Sequence, residues 1–155
     1  MGRGRPFIAV VGAGECDPAR AALAEEVGGL LARAGAVVVC GGLGGVMEAA
    51  CRGAKAAGGT TVGLLPGLDR RDANPWVDVP IATGLGEARN VLVVRAADAL
   101  IAVGGEFGTL SEIAFALKTG KKVIGLGTWD LPRITRVSTA AEAVSAALPT
   151  ERGPR

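Results

Sequence analysis

Residues 99–112 read Ala99-Leu100-Ile101-Ala102-Val103-Gly104-Gly105-Glu106-Phe107-Gly108-Thr109-Leu110-Ser111-Glu112. The first five are short, apolar and bounded by glycine, the pattern of a buried strand. Residues 110–118 read as a helix with Gly120 just beyond its C-terminal end. A glycine-rich turn between a buried strand and a helix start leaves backbone N–H groups unpaired. Those groups and the helix dipole together favour an anion such as phosphate. On this reading Glu112 sits in the first helical turn, beside the anion.

The same strand–glycine–helix unit recurs towards the N-terminus. Residues 7–11 are an apolar strand ending at Gly12, and Asp17-Pro18 supplies an N-cap and a first-turn proline. Leu23, Val27, Leu30 and Leu31 follow at helical spacing, and Gly35 ends that helix. Residues 36–40 form a second strand, and Gly41-Gly42-Leu43-Gly44-Gly45 turns into a helix through Val46-Met47-Glu48. Residues 60–65 are a third strand, residues 67–74 are polar with Asp69-Arg70-Arg71-Asp72 a solvated loop, and residues 76–83 contain a short strand. A helix over about 87–97 precedes the central strand, and residues 122–126 form another strand. Thr139-Ala140-Ala141-Glu142 resembles a capping box opening the last helix. The tail from Pro149 is expected to fray. Continuous apolar strands alternating with helices imply a parallel sheet covered on both faces. Right-handed crossovers then give an α/β fold, a Rossmann-like doubly wound parallel sheet in three layers, α/β/α. With 155 residues and no linker, residues 1–155 read as a single Rossmann-like phosphate- or nucleotide-binding domain.

Composition removes several function classes. Seventeen basic against fifteen acidic residues is too balanced for a nucleic-acid partner, and 3% aromatics offer few stacking platforms. Histidine is absent, which removes histidine triads and histidine metal sites. The cysteines Cys16, Cys40 and Cys51 contain no Cys-x-x-Cys pair, so no metal ligand set emerges. An odd cysteine count and no signal-length apolar region suit a cytoplasmic protein. No apolar run reaches the roughly 20 residues of a membrane span.

Three glycine-rich turns follow strands, and these carry the candidate ligand-binding residues: Gly12 and Gly14; Gly41, Gly42, Gly44 and Gly45; and Gly105, Glu106, Phe107, Gly108 and Thr109. A dinucleotide fingerprint fails, because Asp17 stands where its third glycine belongs and no acidic residue ends the second strand. No Gly-x4-Gly-Lys-Ser/Thr segment exists either. Glu112 carries two readings. Thr109-Leu110-Ser111-Glu112 matches a capping box, and the same carboxylate beside a phosphosugar could serve as acid, base or cation stabiliser. Arg89 opposes the dipole of its own helix, so it either binds a phosphate or carboxylate or pairs at the rim with Glu87 or Asp98. Cys16 either lines the first turn or is a small buried thiol.

These segments resemble the LOG superfamily, long misannotated as lysine decarboxylases. Residues 41–48 are similar to its Gly-Gly-x-x-Gly-Leu-Met segment, and residues 105–112 to its Pro-Gly-Gly-x-Gly-Thr-x-x-Glu signature. The resemblance runs from Phe7 to the last helix. It implies a Rossmann-like fold, a homodimer or homotetramer, and cleavage of the N-glycosidic bond of nucleoside 5′-monophosphates with no cofactor required. It places the catalytic arginine at Arg89 and the catalytic glutamate at Glu112. Asn90 stands where the family has lysine, and Gly104-Gly105-Glu106 stands where it has Pro-Gly-Gly, which puts a carboxylate in the phosphate loop. These departures bear on hydrolysis more than on binding. Within the superfamily the chain resembles a short branch that is also similar to the molybdenum cofactor carrier proteins, which bind a phosphorylated pterin without transforming it. The leading expectation is thus a phosphoribohydrolase, and the alternative a non-catalytic carrier or sensor of a phosphorylated cofactor such as molybdopterin. Self-association is expected through the apolar segments 91–94 and 113–117.

Overall fold

The computed structural model describes residues 4–150. The expected fraying of the tail falls chiefly on residues 151–155, which lie outside the described residues. Seven strands form one sheet: β1 (Phe7–Gly12), β2 (Val37–Cys40), β3 (Thr60–Leu65), β4 (Val79–Ala82), β5 (Ala99–Val103), β6 (Lys122–Leu126) and β7 (Thr135–Arg136). The helices are α1 (Pro18–Arg33), α2 (Val46–Ala56), α3 (Arg89–Ala96), α4 (Phe107–Lys118) and α5 (Ala140–Ala147). The strand order is β4-β3-β2-β1-β5-β6-β7, and every pairing is parallel. This is the expected Rossmann-like three-layer fold.

Period-2 alternation along β1 sorts the helices. Ile8 and Val10 face one side, in a core with Val27 and Leu31 of α1, Ala50 of α2 and Val144 of α5. Ala9 and Val11 face the other, packed with Val93 and Val94 of α3 and Ile113 and Ala116 of α4. The chain runs outward from β1 to β4, then returns to place β5 on the free side of β1 before continuing to β7. The strand order therefore reverses between β1 and β5. In open α/β sheets the crevice above such a reversal, at the carboxyl ends of the strands, is where ligands bind. Gly12 ends β1 there, and Gly104 follows β5.

Several boundaries differ from the sequence reading. The α4 helix begins at Phe107 and not at residue 110, because Glu106 already adopts extended cap geometry and its carbonyl accepts from the Leu110 N–H. The α3 helix is regular only from Arg89, after a 3-10 turn over Gly86–Ala88. The two-residue edge strand β7 carries no periodic signal and was not expected. The capping box at Thr139 is present, with the Thr139 side chain accepting from the Glu142 N–H. No helix among the described residues is long and apolar enough to cross a membrane.

Candidate functional site

At the reversal point the end of β1 and the turn after it, Met47 of α2, the start of α3, and Glu106 with the first turns of α4 line a cavity of about 180 Å³. Of the residues singled out from sequence, Gly12, Gly14, Arg89, Glu106, Gly108, Thr109 and Glu112 line it. Ala13, Met47 and Asn90 line it too, and sequence reasoning missed them. Met47 and Asn90 adjoin recognised residues, so helix spacing from the 41–45 turn and from Arg89 could have found them.

Among the described residues, the N–H groups of Gly108 and Thr109 have no acceptor, and no side chain caps α4. The capping-box reading of Glu112 therefore fails. Thr109 is inside the helix, not at its cap, and Ser111 spends its hydroxyl on the Gly108 carbonyl at 2.7 Å. Glu112 lies in the second turn, not the first. Its side chain turns towards the cavity with the residue 7% exposed, and no described protein group donates a hydrogen bond to it. Burial pushes its carboxyl up to about 7, against the pull of the nearby Arg89 guanidinium. This carboxyl is thus divided between its neutral and charged forms near neutral pH.

Arg89 is not a rim residue. It is only 9% exposed and makes no salt bridge with Glu87 or Asp98. Its guanidinium lies over Gly41, with Nη2 donating to the Gly41 carbonyl at 3.4 Å and Nη1 donating to Asn90 Oδ1. A Cβ on Gly41 would sit 2.6 Å from Arg89 Nη2, so this glycine clears the space the arginine fills. Arg89 Nε is buried without a hydrogen-bond partner among the described residues. A cation at a helix N-terminus and an unsatisfied buried N–H are both unfavourable, the second by about 1–3 kcal/mol. Two such costs on one side chain beside a cavity mark a position shaped by something other than fold stability.

The other sequence-selected residues take supporting places. Gly42, Gly44, Gly45 and Gly105 do not line the cavity. Gly45, at φ +63°, brings the 41–45 turn against the first turn, where the Val46 N–H donates to the Ala13 carbonyl at 3.1 Å. Asn74, at the end of the polar 67–74 stretch, braces this turn by donating from Nδ2 to the Leu43 carbonyl at 2.9 Å. Phe107 is 79% exposed and stacks on Trp129, with ring centroids 5.8 Å apart, outside the cavity. Trp129 Nε1 donates to the Glu106 carbonyl. Cys16 is half-buried against the α1 core and does not line the cavity. No cluster of three or more Cys, Asp or Glu side chains suited to a metal ion occurs among the described residues.

A parallel sheet covered by helices on both faces, with its strand order reversing between β1 and β5, defines the Rossmann-like class. The chain belongs to the SLOG cluster4 family, whose pattern matches residues 5–151. It is 53% identical over 120 residues to an uncharacterized protein of Archaeoglobus fulgidus, covering 77% of this chain and 78% of that one. Among solved structures it is similar to the molybdenum cofactor binding protein of Rippkaea orientalis, with a TM-score of 0.88, 38% identity, and 93% and 96% of the two chains covered. It is also similar to the Moco carrier protein of Chlamydomonas reinhardtii, with a TM-score of 0.83, 39% identity, and 92% and 95% covered. DNA processing protein A of Streptococcus pneumoniae shares the fold at 20% identity.

Proposed function

We propose that this protein binds a phosphorylated small ligand of the molybdopterin class and carries it without transforming it. The observation that carries this reading is the pair of donors lacking protein acceptors at one small cavity, the Gly108 and Thr109 N–H groups, beside the lining Arg89 guanidinium whose buried Nε also lacks a partner among the described residues. A phosphate group suits them, since it presents several acceptor oxygens and its charge opposes both the guanidinium and the helix dipole. At about 180 Å³ the cavity is smaller than the roughly 300–1,000 Å³ of whole-ligand sites, so it takes the phosphate end while the ring system lies across the open lip. The molybdenum cofactor proteins of Rippkaea orientalis and Chlamydomonas reinhardtii, similar over more than nine-tenths of the chain, support the pterin class.

One observation favours the phosphoribohydrolase reading. Glu112, divided between two protonation states beside Arg89, has the character of an acid–base group. In that role it would activate water or stabilise an oxocarbenium-like sugar, with Arg89 orienting the phosphosugar. The two readings separate in paired assays. Incubation with AMP and related monophosphates reports free base and ribose 5-phosphate, and equilibrium dialysis under anaerobic conditions reports molybdopterin retention. Retention without turnover is expected. Turnover that Glu112→Gln abolishes would replace the carrier reading with the hydrolase.

We further propose that copies of this chain associate. Val93, Val94, Ile113 and Ala116 of the expected contact segments are spent inside the monomer, whereas Val91 and Leu92 remain more than a third exposed on α3. Light scattering at micromolar concentration should give a multiple of the chain mass, and a monomer would remove this proposal.

A further inference from the structure

Beside the Gly41 peptide three sulfur-bearing side chains pack together. Cys40 ends β2, and Met47 and Cys51 stand four residues apart on one face of α2. The three side chains form one buried cluster, with Leu43 and Val77 packed around it. Cys40 Sγ and Cys51 Sγ are 3.5 Å apart, with no disulfide between them. The Gly42 N–H donates to Cys40 Sγ at 3.3 Å. Both cysteines are fully buried, but Met47 is not, because it also lines the cavity at the reversal point. A Cβ on Gly41 would meet Met47 Sδ at 2.8 Å, so the thioether lies against the same peptide that Arg89 covers.

A pair of buried thiols is by itself ordinary core material. Here the Met47 side chain packs with them, the Gly42 N–H is aimed at one sulfur, and the Arg89 guanidinium and the Met47 thioether both lie against the adjoining Gly41. We propose that Cys40, Cys51 and Met47 form a binding site for a soft monovalent cation of the Cu(I) type, entered past Met47 from the cavity. The donor set selects this class. Two thiolates and a thioether are soft ligands, and a dry pocket with no imidazole or carboxylate in the cluster disfavours Mg²⁺, Ca²⁺ and Mn²⁺. Zn²⁺ takes four ligands in structural sites, and this cluster offers three. Binding replaces two S–H bonds by two Cu–S bonds and releases two protons to solvent. The resulting bis-thiolate Cu(I) unit carries one negative charge, which the Arg89 guanidinium and the Gly42 N–H offset. No oxidant or reductant is needed, since copper enters and remains as Cu(I). Met47 and Arg89 border both this cluster and the neighbouring cavity, and the three sulfur donors are the same whichever ligand the cavity takes.

The test uses the full chain, reduced with a thiol-free reductant and titrated anaerobically against the coloured Cu(I)–bicinchoninate complex. One equivalent of Cu(I) should pass to the protein, with thiolate-to-copper charge-transfer absorption appearing in the ultraviolet. Met47→Leu keeps the volume and should weaken retention by at least about tenfold. Cys51→Ala should abolish one-to-one retention, with its fold checked by thermal melting, and Cys16→Ser should leave retention unchanged. A reduced wild type that takes no Cu(I) from the complex overturns the site. So does retention that Met47→Leu leaves intact, or that Cys16→Ser removes.

Discussion

The 41–45 and 104–109 turns look alike in sequence, each a glycine cluster between a buried strand and a helix, yet they have different capacities for a ligand. The first is braced by its own protein, although α2, like α4, has no side-chain cap. The Val46 N–H at the start of α2 is spent on the Ala13 carbonyl, the Asn74 N–H donates to the Gly42 carbonyl, and Asn74 Nδ2 donates to the Leu43 carbonyl. The second has no cap, and the N–H groups of Gly108 and Thr109 face a cavity without an acceptor among the described residues. Both helix starts lack a side-chain cap, so what separates them is that Gly108 and Thr109 line the cavity whereas Gly41, Gly42, Gly44 and Gly45 do not. The 41–45 turn serves the site from behind, clearing room at Gly41 for Arg89 and closing against the first turn.

The strongest way to break this comparison is to substitute the glycine that fixes the braced turn. Gly45 has φ +63° and ψ −127°, a conformation that L side chains rarely adopt, and an added Cβ would lie 2.2 Å from the Ala13 carbonyl oxygen. That neighbour is backbone and cannot swing aside. Gly45→Ala should therefore cost roughly 3 kcal/mol or more, combining strained dihedrals with overpacking. Urea unfolding at fixed pH measures it. A loss under about 1 kcal/mol would mean that the turn is not braced as described.

Glu112 tests the open turn through its proton. Burial lifts its folded-state pKa from 4.5 to about 7, so the native state holds that proton more tightly than the unfolded chain does. Stability from this group is complete below about pH 4.5 and is lost as pH rises through 7. At about pH 8 the charged, largely buried carboxylate costs the fold up to roughly 3 kcal/mol. Glu112→Gln removes that cost, so the variant should exceed the wild type at about pH 8 and converge with it near pH 4. A pH-independent difference between the two proteins would show that Glu112 ionises in the fold as it does in the open chain.

How much of this was legible in the sequence follows from what each residue depends on. The strands β1, β2 and β5 are continuous apolar runs and β3 and β6 are largely apolar, so local pattern alone finds them. The strand β7 has no pattern, because two exposed residues pairing at an edge are chosen by tertiary contact. Thr109-Leu110-Ser111-Glu112 fits a capping box in spelling, but the helix starts two residues before Thr109, and only backbone geometry shows which residue is the cap. Arg89 was visible as a charge opposing a dipole. Its burial, and its seat over a peptide 48 residues away, belong to the packing of α3 against the turn after β2. Asn74 was unreadable for the same reason, since nothing local distinguishes a bracing asparagine from a solvated one.

The smallest expected effect on stability lies at Gly108, the counterpart of Gly45 in the open turn. Gly108 is in the first turn of α4 with ordinary negative φ, and a Cβ built there meets nothing within 4 Å. No backbone strain follows from replacing it. Alanine also loses less conformational freedom than glycine on entering a helix, by up to about 1 kcal/mol. Gly108→Ala should therefore leave stability unchanged or raise it by about 0.5 kcal/mol, since helix ends realise only part of the interior value. The N–H that Gly108 offers is retained, but the added methyl enters the space a phosphate would take. Phosphate titration followed by amide NMR should thus show weaker shifts at Thr109 in Gly108→Ala than in the wild type, although the fold is no less stable. Equal shifts would place the anion elsewhere. Lost stability would mean that the open turn, like the closed one, needs its glycine for the fold.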